Sequence, residues 1–393
     1  MKNSVRTFRG DRRGISLLLI TGGSFLLIGV QMIYPVLLPN LRATYGFNLT
    51  TSGLLLSLLW VANAGGQIPG GLLADRIGEK ATLVTSLVLS AGTLALIISI
   101  NSVIALFAAT LLLGAGLALY GVARYTAMYD MYPEQAGTTI GIVQAGADAG
   151  QALLPPIASV LAAAFVWQIG FGFTVPLFIP LAAGLWIYLP AQTATPSSHS
   201  MSLTDVTGVV SEMRTRAIMT VTAILFVYAV IWVSFTSFYP TYLIEIKGLS
   251  TLLSSVFFGL FFAAGVVVKP LSGVVYDRSG LRTTLFVISV VSGIALVVLP
   301  VVEGPAALAV VTVAVAPILG TGTVAQSHLL ENLSESIRGT GLGIARTITL
   351  TAAAITPIIF GAFADRGYFD EAFLALAAFA GVLLFLTFRT PTE

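Results

Sequence analysis

One ten-residue signature occurs twice in this chain, 202 residues apart, and it constrains the fold more than any other feature. Gly-Leu-Leu-Ala-Asp-Arg-Ile-Gly-Glu-Lys begins at Gly71, and Gly-Val-Val-Tyr-Asp-Arg-Ser-Gly-Leu-Arg begins at Gly273. Further residues match at the same offset, namely Gly137-Thr138 with Gly339-Thr340, Gly141 with Gly343 and Pro155 with Pro357. A repeat of this length indicates a duplicated half-protein rather than a short solenoid unit.

The composition excludes an ordinary soluble domain. Hydrophobic residues make up 56% of the 393-residue chain and charged residues only 9%, too few to cover a water-exposed surface of this size. The formal net charge of +2 gives no basic footprint for nucleic acid. Two histidines, no cysteine and no P-loop leave no constellation for a metal centre, a covalent nucleophile or ATP binding. We therefore expect no enzyme, no cofactor and no bound metal.

Twelve apolar runs are long enough to cross a bilayer as helices, for which about 20 residues suffice. The predicted spans are 15–39, 51–73, 81–100, 102–123, 138–163, 168–189, 217–243, 251–275, 283–301, 305–328, 339–363 and 371–388. With the N-terminus in the cytoplasm, thirteen Lys and Arg residues fall on the inner side and three on the outer side, as the positive-inside rule requires. The sequence thus predicts an all-α protein of the cell membrane with both termini in the cytoplasm.

The repeat divides the spans into two pseudo-symmetric six-helix bundles. We expect a cytoplasmic tail at 1–14, a first bundle at 15–190, a cytoplasmic linker at 191–216, a second bundle at 217–389 and a tail at 390–393. In the linker, Ser202 and Asp205 have the spacing of a capping box and precede apolar residues at helical spacing. This pattern indicates an amphipathic helix on the inner leaflet, with a partly ordered linker as the alternative.

The twelve spans, the six-plus-six duplication, the central linker and the Asp-Arg-x-Gly signature between spans two and three resemble the major facilitator superfamily. The resemblance covers nearly the whole chain and implies transport of a small solute by alternating access. Two departures weaken proton-driven drug export. Thr110 stands where the drug antiporters of the family carry an arginine before Gly114-Ala-Gly116, and residues 154–159 lack the glycines of their fifth helix.

The resemblance assigns the repeated signature to a cytoplasmic gate. Asp75 would face the start of helix eleven, whose dipole favours a carboxylate, while Arg76 and Lys80 would pair with acids near Asp130. Asp277 would play the mirrored role at the start of helix five. The gate residues that we expect are Gly71, Asp75, Arg76, Gly78, Lys80, Asp130, Asp277, Arg278, Gly280, Arg282 and Arg338. The alternative is that these charges only anchor the topology.

Charged residues inside spans are costly and mark functional sites by default. Lys269 and Arg346 both lie roughly 12 Å from the cytoplasmic end of their spans, and the repeat aligns them with Gln67 and Gln144. Two cations and two amides suit an anion, because arginine can bind a carboxylate bidentately. The oxalate and monocarboxylate carriers of the superfamily are loosely similar, since they also place basic residues on helices eight and eleven. We expect these four residues to bind substrate, with gating or structural roles for the cations as the alternative.

Asp148 is the only carboxylate deep in a span, and the sequence leaves two roles open for it. It forms a buried pair with Arg124, or it takes up and releases a coupling proton. Polar-tipped residues in the spans complete the predicted binding site, although each type more often packs between helices; they are Gln31, Tyr34, Asn63, Tyr120 and Trp232. The Gly146–Gly150 spacing predicts that helix five packs closely on a neighbour.

These features together predict a secondary active transporter of a small organic anion such as a carboxylate. A proton-coupled exporter of drug-like amphiphiles is the alternative. The partners that we expect are the small-molecule substrate, protons as the coupling ion and the lipid bilayer, with no nucleic acid, and we expect a monomer. A non-transporting receptor of the same fold differs from a carrier only in a flux assay.

Overall fold

The computed structural model describes residues 12–190, 214–334 and 338–390, without the side chains at 12 and 338–340. The long elements of the first half are α1 Arg12–Tyr45, α2 Leu49–Gly65, α3 Gln67–Ile77, α4 Glu79–Ser99, α5 Val103–Met131, α6 Ala136–Ala164, α7 Trp167–Gly172 and α8 Val175–Tyr188. Those of the second half are α9 Arg216–Glu245, α10 Thr251–Val298, α11 Pro305–Val315, α12 Ile318–Asn332, α13 Arg338–Ala353, α14 Thr356–Asp365 and α15 Phe369–Arg389.

These helices account for the twelve predicted spans. In the part of the chain that the structure describes, nine segments are individually long and apolar enough to cross a bilayer, and the bent pair α2 and α3 makes a tenth. The 29-residue helix α6, which corresponds to the predicted fifth span, brings the count to eleven. The 48-residue helix α10 contains two spans, because Gly280 interrupts it with φ 74° and ψ 173°. The fold is an all-α membrane fold of two six-helix bundles, as the sequence predicts.

Several spans differ from their prediction in extent or in shape. The fourth span continues to Met131 rather than ending at residue 123, and Arg124 is buried within it, only 6% exposed. The second span is bent by 43° between α2 and α3. Neighbouring glycines, Gly65 and Gly66, occupy the bend, and such small residues give the helix backbone little resistance to kinking.

The duplication extends to the backbone of the signature turns. Gly78 has φ 84° and Gly280 has φ 74°, a region that favours glycine, and both residues separate antiparallel spans. Four residues further on, the Thr82 hydroxyl donates to the Gly78 carbonyl and the Thr284 hydroxyl to the Gly280 carbonyl, each over 2.9 Å. The same turn is therefore built twice, once after each repeat's second span.

The helix caps follow the same offset. Asn48 precedes α2 and its Oδ1 accepts from the Thr51 backbone NH over 2.9 Å, whereas Ser250 precedes α10 and its Oγ accepts from the Leu253 NH over 3.2 Å. A short polar side chain at this position satisfies one of the NH groups that lack an intrahelical partner. Equivalent spans of the two halves therefore begin in the same way.

The helices group into two compact units. The first holds the described residues of Met1–Gly46 and Leu58–Ser198, and the second holds Phe47–Ser57 with the described residues of His199–Glu393. The first turns of α2, up to Ser57, thus group with the second unit, although the sequence assigns the whole span to the first bundle. The predicted amphipathic helix of the linker lies in 191–213, outside the described residues.

Glycines allow α6 to pack closely against α1 in the first unit. A methyl group at Gly150 would lie 2.1 Å from the carbonyl oxygen of Phe25, and one at Gly146 would lie 2.3 Å from the methyl carbon of Thr21. Only glycine fits at such distances. This geometry agrees with the close packing that the Gly146–Gly150 spacing predicts.

Aromatic rings pack α9 against α15 in the second unit. The ring centroids of Tyr242 and Phe373 are 4.3 Å apart, and Phe235 and Tyr239 stack with centroids 4.4 Å apart. All four side chains are buried. Such pairs stabilise a helix interface beyond the area that they bury.

Candidate functional site

A carboxylate lies buried among amides on one face of α6. Asp148 is 6% exposed, and its Oδ1 accepts hydrogen bonds from Gln144 Nε2 over 3.3 Å and from Gln151 Nε2 over 3.1 Å. Positions three and four residues away share a helix face, so one segment of sequence builds the arrangement. Neutral amide donors can stabilise an ionised carboxylate through hydrogen bonds.

A buried cation on α5 faces the same region. The two terminal nitrogens of Arg124 donate to the Ser24 hydroxyl over 3.2 Å and to the Tyr125 hydroxyl over 2.9 Å. Its guanidinium carbon also lies 4.6 Å from the centre of the Tyr125 ring. The third nitrogen, Nε, is buried and has no hydrogen-bond partner among the described residues. The guanidinium is thus held by one hydroxyl of α1 and one of its own helix.

A chain of hydrogen bonds connects this cation to the carboxylate. The Tyr125 hydroxyl accepts from Arg124 and donates to Gln144 Oε1 over 3.3 Å, and Gln144 donates in turn to Asp148. Arg124 and Asp148, which the sequence pairs, are therefore linked through two intervening side chains. We name Ser24, Arg124, Tyr125, Gln144, Asp148 and Gln151 the polar network; it lies entirely within the first unit.

Sequence reasoning missed three members of this network. Gln151 could have been found, because it lies three residues after Asp148 on the same helix. Ser24 carries no such signal, since serine is common in membrane helices and only the packing of α1 against α5 brings it to Arg124. Tyr125 is adjacent to Arg124 in the sequence, but its hydrogen bond to Gln144 forms only when α6 lies beside α5.

The two predicted substrate cations lie in the second unit. Lys269 on α10 and Arg346 on α13 are both partly exposed, and neither is sealed within the bundle. Gln67 begins α3 directly after the bend in the second span and is also partly exposed. At the position that the repeat aligns with Asp148, the second half has Leu350. The two halves therefore differ in charge at aligned positions.

The other predicted binding residues are mostly involved in helix packing. The Tyr34 hydroxyl lies 3.1 Å from Thr110 Oγ1, and the Tyr120 hydroxyl donates to the Ile20 carbonyl over 2.7 Å; both tyrosines are fully buried. Gln31 is 3% exposed, and its Nε2 is buried with no hydrogen-bond partner in the part of the chain that the structure describes. Asn63 and Trp232 are partly exposed, and Trp232 stacks on Tyr228 with ring centroids 6.2 Å apart.

The predicted gate charges are at or near the surface of their units. Asp75, Arg76, Asp130, Asp277 and Arg278 are exposed. Asp75 and Asp130 are both close enough to act electrostatically on Glu79. Gly71 is partly buried beside Val122. The Arg338 side chain lies outside the described residues.

The signature bases Lys80 and Arg282 lie over aromatic rings. Lys80 Nζ is 5.2 Å from the centre of the Trp186 ring, and the Arg282 guanidinium carbon is 4.9 Å from that of Phe388. Both pairs follow the 202-residue offset. The resemblance implies that Lys80 pairs with acids near Asp130. Its contact with the Trp186 ring was not predicted.

A duplicated twelve-helix membrane fold with charged residues inside its spans defines a multi-pass secondary transporter of a small molecule. The chain belongs to the Major Facilitator Superfamily, whose family model matches residues 19–330. The members of this family that the chain resembles are transporters and not enzymes.

Individual relatives match most of the chain. A hexuronate transporter of Bacillus subtilis strain 168 is 25% identical over 376 residues, covering 88% of this chain and 87% of the relative. An oxalate:formate antiporter of Oxalobacter formigenes is 27% identical over 398 residues, covering 93% and 88%. The crystal structure of a bacterial homologue of the human lysosomal transporter Spinster, inward-facing and occupied, has a TM-score of 0.78 at 15% identity and 96% coverage of both chains. This structural likeness supports the fold.

Proposed function

We propose that this transporter moves a small organic anion, such as a carboxylate, across the cell membrane by alternating access. The observation that carries the proposal is the pair of cations, Lys269 and Arg346, at positions where the first half has glutamines. Two relatives that match most of the chain are named for the anionic solutes hexuronate, oxalate and formate. Their names support the same class of solute here.

Each residue has a distinct role in this proposal. Arg346 binds the carboxylate of the solute through its planar guanidinium, and Lys269 adds a point charge. Gln67 and Gln144 supply neutral donors, with Gln31, Tyr34, Asn63, Tyr120 and Trp232 as the wider lining. Gln144 also donates to Asp148, so it offers a route by which solute binding can act on the buried carboxylate.

The buried carboxylate favours protons as the coupling ion. Asp148 is 6% exposed, and its Oδ1 accepts from the amides of Gln144 and Gln151. The same feature supports the second candidate function, proton-coupled export of amphiphiles. Transport measured against external pH tests the role, because Asp148→Asn abolishes the pH response in our proposal. A full pH response in that variant rejects coupling through Asp148.

The family and the distribution of basic residues support our proposals for the oligomeric state, the orientation in the membrane and the gate. We propose a monomer with both termini in the cytoplasm, in which the repeated signature residues, together with Asp130 and Arg338, form the cytoplasmic gate. Reporter fusions at the two termini test the orientation. The proposed gate contacts would break each time the carrier opens to the cytoplasm, and exposed ion pairs of this kind are weak enough to do so.

A thermal-shift screen tests the class of solute. Purified protein is heated with glucuronate, oxalate or formate, and with glucose as the uncharged counterpart of glucuronate. A ligand at about 100 times its dissociation constant stabilises the folded state by about 2.7 kcal/mol, which raises the melting temperature.

The proposal expects stabilisation by at least one of the anions and none by glucose. The double variant Lys269→Gln/Arg346→Gln loses the shift. Arg366→Gln is the matched control, since Arg366 is exposed and donates to the Ala362 carbonyl of its own helix end over 2.8 Å. An equal shift with glucose, or an unchanged shift in the double variant, contradicts the proposal.

A further inference from the structure

Two arginines lie over aromatic rings at one end of the second unit. The guanidinium carbon of Arg282 is 4.9 Å from the centre of the Phe388 ring, and that of Arg389 is 5.0 Å from the centre of the Phe385 ring. The rings of Phe286 and Phe388 meet edge to face, with centroids 6.1 Å apart. These contacts join the second span within α10 to the last turn of α15. We name these five residues the basic aromatic patch.

The side chains of the basic aromatic patch are all exposed. Phe286 is 43% exposed, Phe385 55% and Phe388 50%. The spacing of three or four residues places the members from each helix on one face of that helix. Both helices contain segments that are long and apolar enough to span a bilayer. Three exposed rings on such segments form a surface that meets lipid rather than water.

The two arginines of the patch have charge to offer to a ligand. Neither guanidinium has a hydrogen-bond or ion-pair partner among the described residues, where their contacts are with the rings. A guanidinium that stacks on a ring keeps its NH donors in its own plane, where they can reach an acceptor. Arginine binds phosphate through such parallel donors. Two neighbouring arginines therefore suit one phosphate group at the end of the spans.

The first half of the chain has only part of this arrangement. At the 202-residue offset, Lys80 lies over Trp186 as Arg282 lies over Phe388. The second base is missing there, because Ile187 aligns with Arg389, and the other two rings of the patch have no aromatic counterpart. One base on one ring is thus common to both halves. The second arginine and two further rings occur in one half only, which indicates a role beyond the shared fold.

An exposed apolar surface continues from the patch along both helices. Its large exposed side chains are Val287, Val291 and Ile294 on α10, and Phe379 and Val382 on α15. The eight residues from Phe286 to Ile294 cover roughly 12 Å along the helix. Acyl chains can lie along this surface while a charged headgroup stays at the arginines, where the spans end.

We propose that the basic aromatic patch binds the phosphate of an anionic glycerophospholipid, whose acyl chains lie along the exposed apolar surface. Two arginines attract a lipid with net negative charge, whereas a zwitterionic lipid brings a cation close to them. The predicted topology places the patch in the cytoplasmic leaflet. Arg282 also belongs to the proposed gate, but Arg389 and the three rings belong to no predicted site. The inference goes beyond the proposed function and involves no transported solute.

Native mass spectrometry of the full-length protein tests the site. The protein in mild detergent is titrated with phosphatidylglycerol or with phosphatidylcholine of the same acyl chains, and the dissociation constant of the first bound lipid is measured. The site variant is Arg282→Gln/Arg389→Gln. The matched control is Arg214→Gln/Arg216→Gln, which removes two exposed arginines on the same predicted side that contact no aromatic ring of the described residues.

We expect the natural protein to bind phosphatidylglycerol more tightly than phosphatidylcholine. The site variant should weaken binding of phosphatidylglycerol roughly 30-fold, since each arginine near the membrane surface contributes roughly a factor of five. Phe388→Leu removes the ring under Arg282 and should weaken it roughly two- to fivefold. The matched control keeps the natural affinity. Excess sn-glycerol 3-phosphate, which lacks acyl chains, does not displace the lipid.

Three outcomes overturn the inference. They are equal affinity for the two lipids, an equal loss of affinity in the site variant and the matched control, and displacement of the lipid by sn-glycerol 3-phosphate. Where the site variant does not fold, Arg389→Gln against Arg216→Gln decides in the same way, with an expected loss of roughly fivefold in the first alone. The assay contains no transported anion, so failure of the proposed function does not affect it.

Discussion

Gln144 donates a hydrogen bond to Asp148 in the first unit, and the internal repeat aligns these two residues with Arg346 and Leu350 in the second. An amide beside a carboxylate in one half thus corresponds to a cation beside an apolar side chain in the other. Duplicated halves keep equivalent residues where the fold needs them, as in the glycine turns and caps. A charge difference at aligned positions inside the membrane is costly and therefore indicates function rather than packing.

Replacing Asp148 measures how much its hydrogen bonds contribute to the free energy of unfolding. Asp148→Leu, which copies the second half, leaves the amide groups of Gln144 and Gln151 without their acceptor. We expect it to lower the free energy of unfolding by about 1–3 kcal/mol, the cost of unsatisfied buried donors. Asp148→Asn keeps an acceptor oxygen and loses less. Thermal unfolding in detergent measures both, with the exposed Glu134→Gln as control, and a Leu variant as stable as the natural protein contradicts the hydrogen bonding.

The glycines of α6 differ sharply in the space around them. Gly150→Ala places a methyl group 2.1 Å from the Phe25 carbonyl oxygen, so we expect a loss of about 1–3 kcal/mol from overpacking. Gly141→Ala on the same helix meets no atom of the described residues within 4 Å and should be neutral or slightly stabilising, since alanine favours helix. Melting temperatures of the two variants test this, and equal values argue against close packing of α1 on α6.

The aromatic partners of the two signature bases predict matched coupling energies. Double-mutant cycles with Lys80→Met and Trp186→Leu, and with Arg282→Met and Phe388→Leu, should each give about 0.5–1 kcal/mol, as for partly exposed cation–π pairs. The two cycles share no residue and lie in separate units, so their effects should add. Coupling in neither cycle would show that the repeated contacts do not contribute to stability.

Much of the architecture could be predicted because it depends on local patterns. The lengths of the apolar runs predicted the twelve spans. The repeated glycines predicted tight turns, and Gly78 and Gly280 both have positive φ there. The bend at Gly66 was missed, because small residues permit a kink without requiring one.

The contacts that define the candidate site depend on tertiary packing. Arg124 reaches Asp148 through Tyr125 and Gln144 only once α5 and α6 are side by side. Likewise, nothing in the sequence near Asp365 indicates that its carboxylate accepts from the backbone NH groups of Leu49 and Thr50 at the start of α2. Residue type and spacing identify charged groups that need partners, but the folded chain selects the partners.

Flux through the natural protein and two charge variants tests the central claim most directly. Uptake of glucuronate, oxalate and formate into proteoliposomes is measured for the natural protein, Lys269→Gln and Arg346→Gln, with Arg366→Gln as control. A charge-assisted hydrogen bond contributes about 1.5–3 kcal/mol, so each site variant should lower the uptake of a transported anion roughly 10- to 100-fold, and the control should not. Unchanged anion uptake in both site variants would contradict the account.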